Sequence, residues 1–441
     1  MHTENPINVV GAGLPGGEPR LMDLAPVRGA EVLAAGRSLL AALKHPTAEN
    51  IPVGADIDGL LETLADKRAQ GRRITVLCSG DPLFFGLGSR LLAHFGAEAL
   101  RFLPAPGTLS AAAGLCGIAV QDIRPVSLHG GRMWLPLLHA LMEDGPVLAL
   151  TDAASGPAGV ATFLLERGVR GFTLHVLESI SLDAEGFPRA GRHLRLSLEE
   201  AAKLPDDAPT AQRVLLFAPD GPRPPRSSFR PDAAYAVEQG LITKAPVRAF
   251  ALSLLGVEEA DTVWDLGAGC GSVGLEAAGL ARRGLVVAVE SRPERVALIR
   301  ENRARFQVLN LEVVTARLPE ALPHGPETAG PADLPLAFGP AGPLLPRPKR
   351  IFIGGGLGAS EGAEAAGDIL AGAWDCLPPG GRMVVSCVLL GTVERVRRFF
   401  DDRGIAYGIE SVHAQRGAPL AGDVRLVPDN PVFLLHAEKA R

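Results

Sequence analysis

Cysteine is scarce and scattered in this 441-residue chain: five residues, at 78, 116, 270, 376 and 387, with no Cys-x-x-Cys pair. That pattern suggests neither a disulfide framework nor a metal site, and it suits a reducing, cytoplasmic setting. Lysine is also rare. The 44 basic side chains are mostly arginine, and 49 acidic ones leave a formal net charge of −5. Without a basic excess, nucleic acid is not an expected partner. Local arginines can still hold an anionic small molecule, because the planar guanidinium suits carboxylates. No uninterrupted apolar run approaches the roughly 18 residues of a membrane span. The opening residues also lack the cationic-then-apolar order of a secretion signal, so no membrane contact is expected.

What is present is a large apolar fraction, 47%, in short runs that alternate with helical stretches. The length predicts two or three domains. Residues 7–10 form a predicted strand opening onto Gly11-Ala12-Gly13, with a helical stretch expected to about 38. Strands are predicted at 73–77, 100–103, 147–150 and 172–178, with a helix at 157–167. Glycine or acidic residues close the strands, where open α/β sheets bind ligands. Proline and polar residues dominate 219–231, which reads as a linker between domains 1–218 and 232–441.

The second domain opens with 263–277, Val-Trp-Asp-Leu-Gly-Ala-Gly-Cys-Gly-Ser-Val-Gly-Leu-Glu-Ala. A buried strand, a glycine turn and a helix N-terminus together make a nucleotide-type site. Strands are predicted at 285–289, 311–314, 350–353, 382–388 and 430–436, with Ser291 and Glu294 as a capping-box pair. The proline-rich stretch 323–347 reads as an extended surface loop. Trp264 and Phe352 are expected in the core. The run 189–195, rich in arginine, is expected on a solvated face.

Two ligand classes fit the glycine turn, a dinucleotide and S-adenosylmethionine. The dinucleotide pattern needs a third glycine where Ser272 stands. Asp265, two places before Gly267, would repel a pyrophosphate but attract the amino group of a methionine moiety. Glu290, closing the next strand, is placed to accept hydrogen bonds from ribose hydroxyls. This tilts the turn toward S-adenosylmethionine and leaves a nicotinamide-dependent oxidoreductase as the rival.

The turn resembles the first motif of class I methyltransferases. Leu241-Ile242-Thr243-Lys244-Ala245-Pro246-Val247-Arg248, 318–322, 351–358, 379–385 and 430–433 resemble, in order, motifs of the CbiT-type precorrin methyltransferases. In the first domain, 79–86, Pro106-Gly107-Thr108-Leu109-Ser110 and 126–130 resemble the tetrapyrrole methylase superfamily, in its CbiE type. Leu14 separates Gly13 from Pro15, where that family has Gly-Pro-Gly directly. A CbiE-like half joined to a CbiT-like half is similar to the bifunctional precorrin C5,15-methyltransferases (decarboxylating), the CobL type.

That resemblance implies an α/β chain: a two-lobed tetrapyrrole methylase fold, then a Rossmann-like class I methyltransferase domain. It implies S-adenosylmethionine as cofactor and a precorrin tetrapyrrole as substrate. The implied reactions are methylation at C5 by the first half, and methylation at C15 with loss of an acetate carboxyl by the second, converting precorrin-6B to precorrin-8X. Implied cofactor residues are Gly80, Asp81 and Thr108 in the first half, and Thr243, Asp265, Gly267, Gly269, Gly271, Glu290 and Ala316 in the second. Implied substrate residues are Gly11, Gly13, His129, Arg248 and Arg416. A homo-oligomer is expected, because family members generally self-associate. No residue is assigned as acid or base. A methylase of another tetrapyrrole position fused to a generic methyltransferase, and a non-enzymatic tetrapyrrole carrier, stand as alternatives.

Overall fold

Apolar runs with no alternation become the inner strands of parallel sheets, which are covered on both faces. In the computed structural model, the residues described are 5–15, 23–128, 134–152, 155–205, 213–221, 229–322, 337–339, 342–344, 346–357 and 363–440. The chain divides into two compact units. One is 1–131, 145–161 and 172–220; the other is 132–144, 162–171 and 221–441.

The first unit holds two five-stranded sheets. β1 (Ile7–Gly11), β2 (Val32–Ala35), β3 (Glu49–Pro52), β4 (Ile74–Cys78) and β5 (Leu100–Leu103) form a parallel sheet in the order β3-β2-β4-β1-β5. Its inner strands β2 and β4 are wholly buried, and the edges β3 and β5 are largely not. β6 (Arg124–Ser127), β7 (Val147–Leu150), β8 (Phe172–Leu182), β9 (Pro188–Ser197) and β10 (Arg213–Pro219) form a mixed sheet in the order β6-β7-β10-β8-β9. The small-residue helix Thr108–Cys116 packs Ala111, Ala112 and Ala113 against Leu177, Ile180 and Leu216 of this sheet.

One sequence expectation changes here. The helix expected to run to about 38 is broken by Gly29, which caps the one-turn helix Ala25–Arg28, and the next apolar run is β2. Val32, Leu33, Ala34 and Ala35 are all fully buried, so burial on both faces favours a strand over an amphipathic helix. The run 189–195 lies within β9, paired antiparallel to β8, and Arg189, His193 and Arg195 are exposed, as expected of a solvated face.

In the second unit, β11 (Thr262–Leu266), β12 (Leu285–Glu290), β13 (Leu311–Thr315), β16 (Arg350–Ile353), β17 (Arg382–Cys387), β18 (Tyr407–Val412) and β21 (Val432–Glu438) make one sheet, ordered β13-β12-β11-β16-β17-β21-β18. The first five are parallel, and β21 runs antiparallel to both β17 and β18. Sequence order reverses at β11, which has β12 on one side and β16 on the other, so their following loops frame a crevice. Trp264 and Phe352 are core residues, as expected. Within the stretch read as a loop, β14 (Ala337–Gly339) and β15 (Gly342–Leu344) pair as a small hairpin. β19 (Gln415–Leu420) and β20 (Asp423–Pro428) form a second hairpin, which among the described residues joins no larger sheet.

The expected capping box is absent. Helix Pro293–Arg305 has Arg292 at its N-cap and no side-chain cap. Glu290 instead holds the approach to the helix: its Oε1 accepts from the Ser291 and Arg292 N–H groups at 2.9 and 3.0 Å.

Candidate active sites

The second unit has a cavity of about 1030 Å³ at the ends of β11, β12, β13 and β16, lined by Thr243, Asp265, Gly267, Gly269, Glu290 and Ala316 among others. Those six expected cofactor residues therefore share one space. Gly271 is not among the lining residues; it is the left-handed N-cap of helix Ser272–Leu280. Gly267 is fixed by a close approach: a Cβ there would lie 2.8 Å from Gly355 backbone in the loop after β16.

Asp265 is fully buried at the foot of this space. Its Oδ2 accepts from Gly274 N–H at 2.8 Å, and its Oδ1 has no partner. Burial pushes its carboxyl up to about 7, with Gly274 N–H opposing and the Glu290 charge adding. An orphaned buried carboxylate oxygen is costly. A ligand cation or N–H donor beside it would relieve that cost. The methionine ammonium of S-adenosylmethionine supplies such a group, so the residues present fit this cofactor.

Glu290 is held by three backbone donors, since Gly269 N–H also donates to its Oε2 at 2.9 Å. The carboxylate is thus fixed in place at the end of β12. Lone pairs remain on it for a ligand hydroxyl.

Arg248 departs from expectation. It has no solvent exposure and does not line the cavity. Its Nε donates to Glu276 at 3.0 Å, Nη1 to Asp232 at 2.7 Å and to Thr243 O at 2.5 Å, and Nη2 to Arg230 O at 2.6 Å. Every side of the guanidinium is used internally, so it is a positioning residue that holds the backbone of Thr243. Arg416 lies on β19, mostly exposed, paired with Asp429, and only Asp429 of the two lines the cavity.

The cations that do line the cavity are Lys244, Arg292, Arg295 and Arg317, none of them singled out from sequence. Arg292 and Arg295 both pair with Glu238, at 3.1 and 2.9 Å. The available signal was their position, immediately after the acidic end of β12. Cys270 also lines the space, and burial raises its thiol, which leaves it no nucleophilic role.

In the first unit, the loops after β1, β4 and β5 meet. Gly80 N–H donates to Gly13 O at 2.9 Å and Ala12 N–H to Cys78 O at 2.8 Å. A Cβ on Gly11 would stand 2.7 Å from Gly80 O and 2.8 Å from Ala105 Cβ. One on Gly107 would stand 3.1 Å from Asp81 N. Asp81 Oδ1 accepts from Leu83 N–H at 2.8 Å and so closes its own turn. Thr108 opens the following helix, whose N-cap Gly107 offers no side chain to its free N–H groups. Gly11, Gly13, Gly80, Asp81 and Thr108 are therefore neighbours. His129 lies outside the described residues.

These two sites match known proteins separately and together. The profile of tetrapyrrole (corrin/porphyrin) methylases matches residues 9–186, and that of the precorrin methyltransferase domain matches 233–331. The cobalt-precorrin-7 C(5)-methyltransferase of Salmonella typhimurium is 37% identical over 35% of this chain and 75% of its own. The probable cobalt-precorrin-6B C(15)-methyltransferase (decarboxylating) of Saccharolobus solfataricus is 29% identical over 45% of this chain and 88% of its own. A precorrin-6Y C(5,15)-methyltransferase [decarboxylating] of Sinorhizobium sp spans both halves, at 32% identity over 82% of this chain and 79% of its own. That relative, at 32% identity over 82% of this chain, with the two profile matches, means that this chain belongs to the precorrin-6Y C(5,15)-methyltransferase (decarboxylating) family.

Proposed function

We propose that this chain methylates a precorrin at C5 and C15 and removes carbon dioxide from one acetate side chain, converting precorrin-6B to precorrin-8X. C5 methylation belongs to residues 1–218, and C15 methylation with decarboxylation to 232–441. The observation that carries this is one relative of that name aligned across both halves. S-adenosylmethionine, when bound, supplies an electrophilic methyl group on a positively charged sulfur.

The protein's own task is alignment and exclusion of water, since an electron-rich macrocycle carbon is the nucleophile. In the second unit Asp265 holds the amino end of the cofactor with its free oxygen. Glu290, locked by three N–H donors, orients the ribose. Lys244, Arg292, Arg295 and Arg317 give the substrate's carboxylates cationic partners at the same cavity. In the first unit Gly80, Asp81 and Thr108 hold the cofactor, while the turn at Gly11 and Gly13 faces the macrocycle.

A second copy of the chain is the proposed partner. Leu420, Val424 and Leu426 of the β19–β20 hairpin are each more than half exposed, and sedimentation equilibrium reads the stoichiometry. The reaction is tested by incubating the full chain with precorrin-6B and methyl-labelled S-adenosylmethionine. Two labelled methyl groups gained and one carbon dioxide lost per tetrapyrrole are expected. Retention of every carboxyl group in a doubly methylated product would overturn the assignment.

A further inference from the structure

Away from both sites, three donor side chains converge in the first unit. Cys116 ends the helix Thr108–Cys116, His175 lies on β8 and His193 on β9. In the β8–β9 register His193 faces Leu177 and His175 faces Arg195, so the two rings are diagonal neighbours on one sheet face. Leu177 of that face packs against the same helix. His175 Nδ1 and His193 Nε2 are 3.0 Å apart, and one ring nitrogen of each histidine and the Cys116 sulfur all lie within 4.8 Å of one another.

We propose that Cys116, His175 and His193 bind one divalent transition-metal ion of the Zn²⁺ class. A thiolate and two imidazoles select Zn²⁺, Co²⁺ or Cu²⁺ over Mg²⁺ or Ca²⁺, which take oxygen ligands. Tetrahedral Zn²⁺, with bonds of about 2.0–2.3 Å, holds its donors roughly 3.3–3.7 Å apart. The two nitrogens, 3.0 Å apart, reach that spacing by parting a few tenths of an ångström as the ion replaces the proton between them, and the sulfur closes it by moving about 1 Å. The exposed side of His193 gives the ion its path in and leaves the fourth position to water.

The charges are consistent with an ion that displaces protons. Burial, then His193 and Arg195, lower the His175 pKa, so its ring is neutral with a lone pair to offer. Arg195 is the unfavourable neighbour, and the thiolate formed on binding offsets it. Burial pushes the Cys116 thiol up to about 11. Binding therefore breaks the S–H bond, forms the S–metal bond and releases one proton. The proton between the rings moves to the far nitrogen of the ring that carried it, with no net release. The ion would pin the C-terminal end of a helix whose other end, roughly 13 Å away, begins at Thr108.

The test uses the full chain, stripped with chelator and titrated with Zn²⁺, and with Co²⁺ as a spectroscopic probe. One ion per chain, one proton released per ion and a thiolate-to-cobalt charge-transfer band are expected. Cys116→Ser should abolish the band. His193→Ala, at an exposed position where folding is not at risk, should weaken Zn²⁺ binding at least tenfold, the low end of what even outer-shell losses cost. His413→Ala, an exposed histidine elsewhere, should leave binding unchanged. Failure to take up one equivalent of Zn²⁺ would identify a hydrogen-bonded histidine pair only. Uptake undiminished by both Cys116→Ser and His193→Ala would likewise overturn the site.

Discussion

The two glycine turns that follow β1 and β11 begin alike and end differently. After β1, a bridge from Gly13 to Gly80 and the close packing of Gly11 on Gly80 and Ala105 close the turn against its neighbouring loops. After β11, Gly267 is closed on the Gly355 backbone and Gly271 on the Ile299 side chain, but between them a Cβ on Gly269 would meet nothing within 4 Å. The second turn opens onto a cavity with a buried, half-satisfied acid beneath it. The same strand-to-glycine signal thus yields a turn closed on its neighbouring loops in one unit and a turn that opens onto a cavity in the other. The neighbouring strand ends decide which.

The largest expected effect breaks this contrast at its support. Arg248→Met removes the guanidinium shared by Glu276, Asp232, Thr243 O and Arg230 O. Leaving the buried Glu276 without its cation, with only Arg230 N–H and the Tyr235 hydroxyl as donors, should cost about 3 kcal/mol in denaturant unfolding of the second unit. C5 methylation should persist at temperatures where C15 methylation is lost. A selective rise in KM for precorrin at full stability would restore Arg248 as a substrate anchor.

Next comes Asp265→Asn. Loss of the charge should weaken S-adenosylmethionine at the C15 site by about 3 kcal/mol, near 100-fold, with C5 methylation as internal control. The pH dependence has a definite sign. The carboxyl rises from an ordinary 3.8 to about 7, so the cofactor-free fold binds this proton more tightly than the unfolded chain does. Its contribution to stability is fully present below about 3.8 and is lost as pH rises through about 7. A cationic ligand prefers the ionised form, so affinity should climb toward pH 7 and then level. Asparagine should flatten both slopes. Affinity in the wild-type chain that does not vary below pH 7 would count against the ammonium contact.

Much of this was legible from residues alone. Asp265, the 267–271 glycines and Glu290 announce themselves because one local stretch sets strand, turn and helix together. The strand β2 was missed because a short apolar run has no period that separates strand from helix until its burial is known. Arg248 was misplaced for a related reason: an arginine in a motif looks like an anchor, and only the tertiary partners Glu276 and Asp232 reveal a strut. Cys116, His175 and His193 are far apart in sequence with no ligand spacing, so nothing short of the β8–β9 register could bring them together.

Glu290→Gln is a smaller and more discriminating change. The amide keeps one acceptor oxygen for part of the Gly269, Ser291 and Arg292 N–H set but loses the charge. Cofactor affinity at the C15 site should fall by roughly 1.5–2 kcal/mol, the worth of a hydrogen bond to a charged group. Unchanged affinity would leave Glu290 as a purely structural clamp on the Gly269 turn and the 291–292 loop.

The smallest effect returns to the glycines. Gly267 and Gly269 both have positive φ, 69° and 58°, so alanine at either pays a left-handed strain of about 1–2 kcal/mol. Only at Gly267 does a Cβ also collide, 2.8 Å from Gly355 backbone that cannot swing aside. Gly269→Ala should therefore lower unfolding stability by about 1 kcal/mol, and Gly267→Ala by clearly more, the excess measuring the loop-to-loop contact. In cofactor binding the order should weigh differently, because a methyl at Gly269 projects into open space beside the cavity. Equal stability losses for the two variants would mean that the approach to Gly355 relaxes freely. The contrast between a closed turn after β1 and an open one after β11 would then rest on Asp265 and the cavity alone.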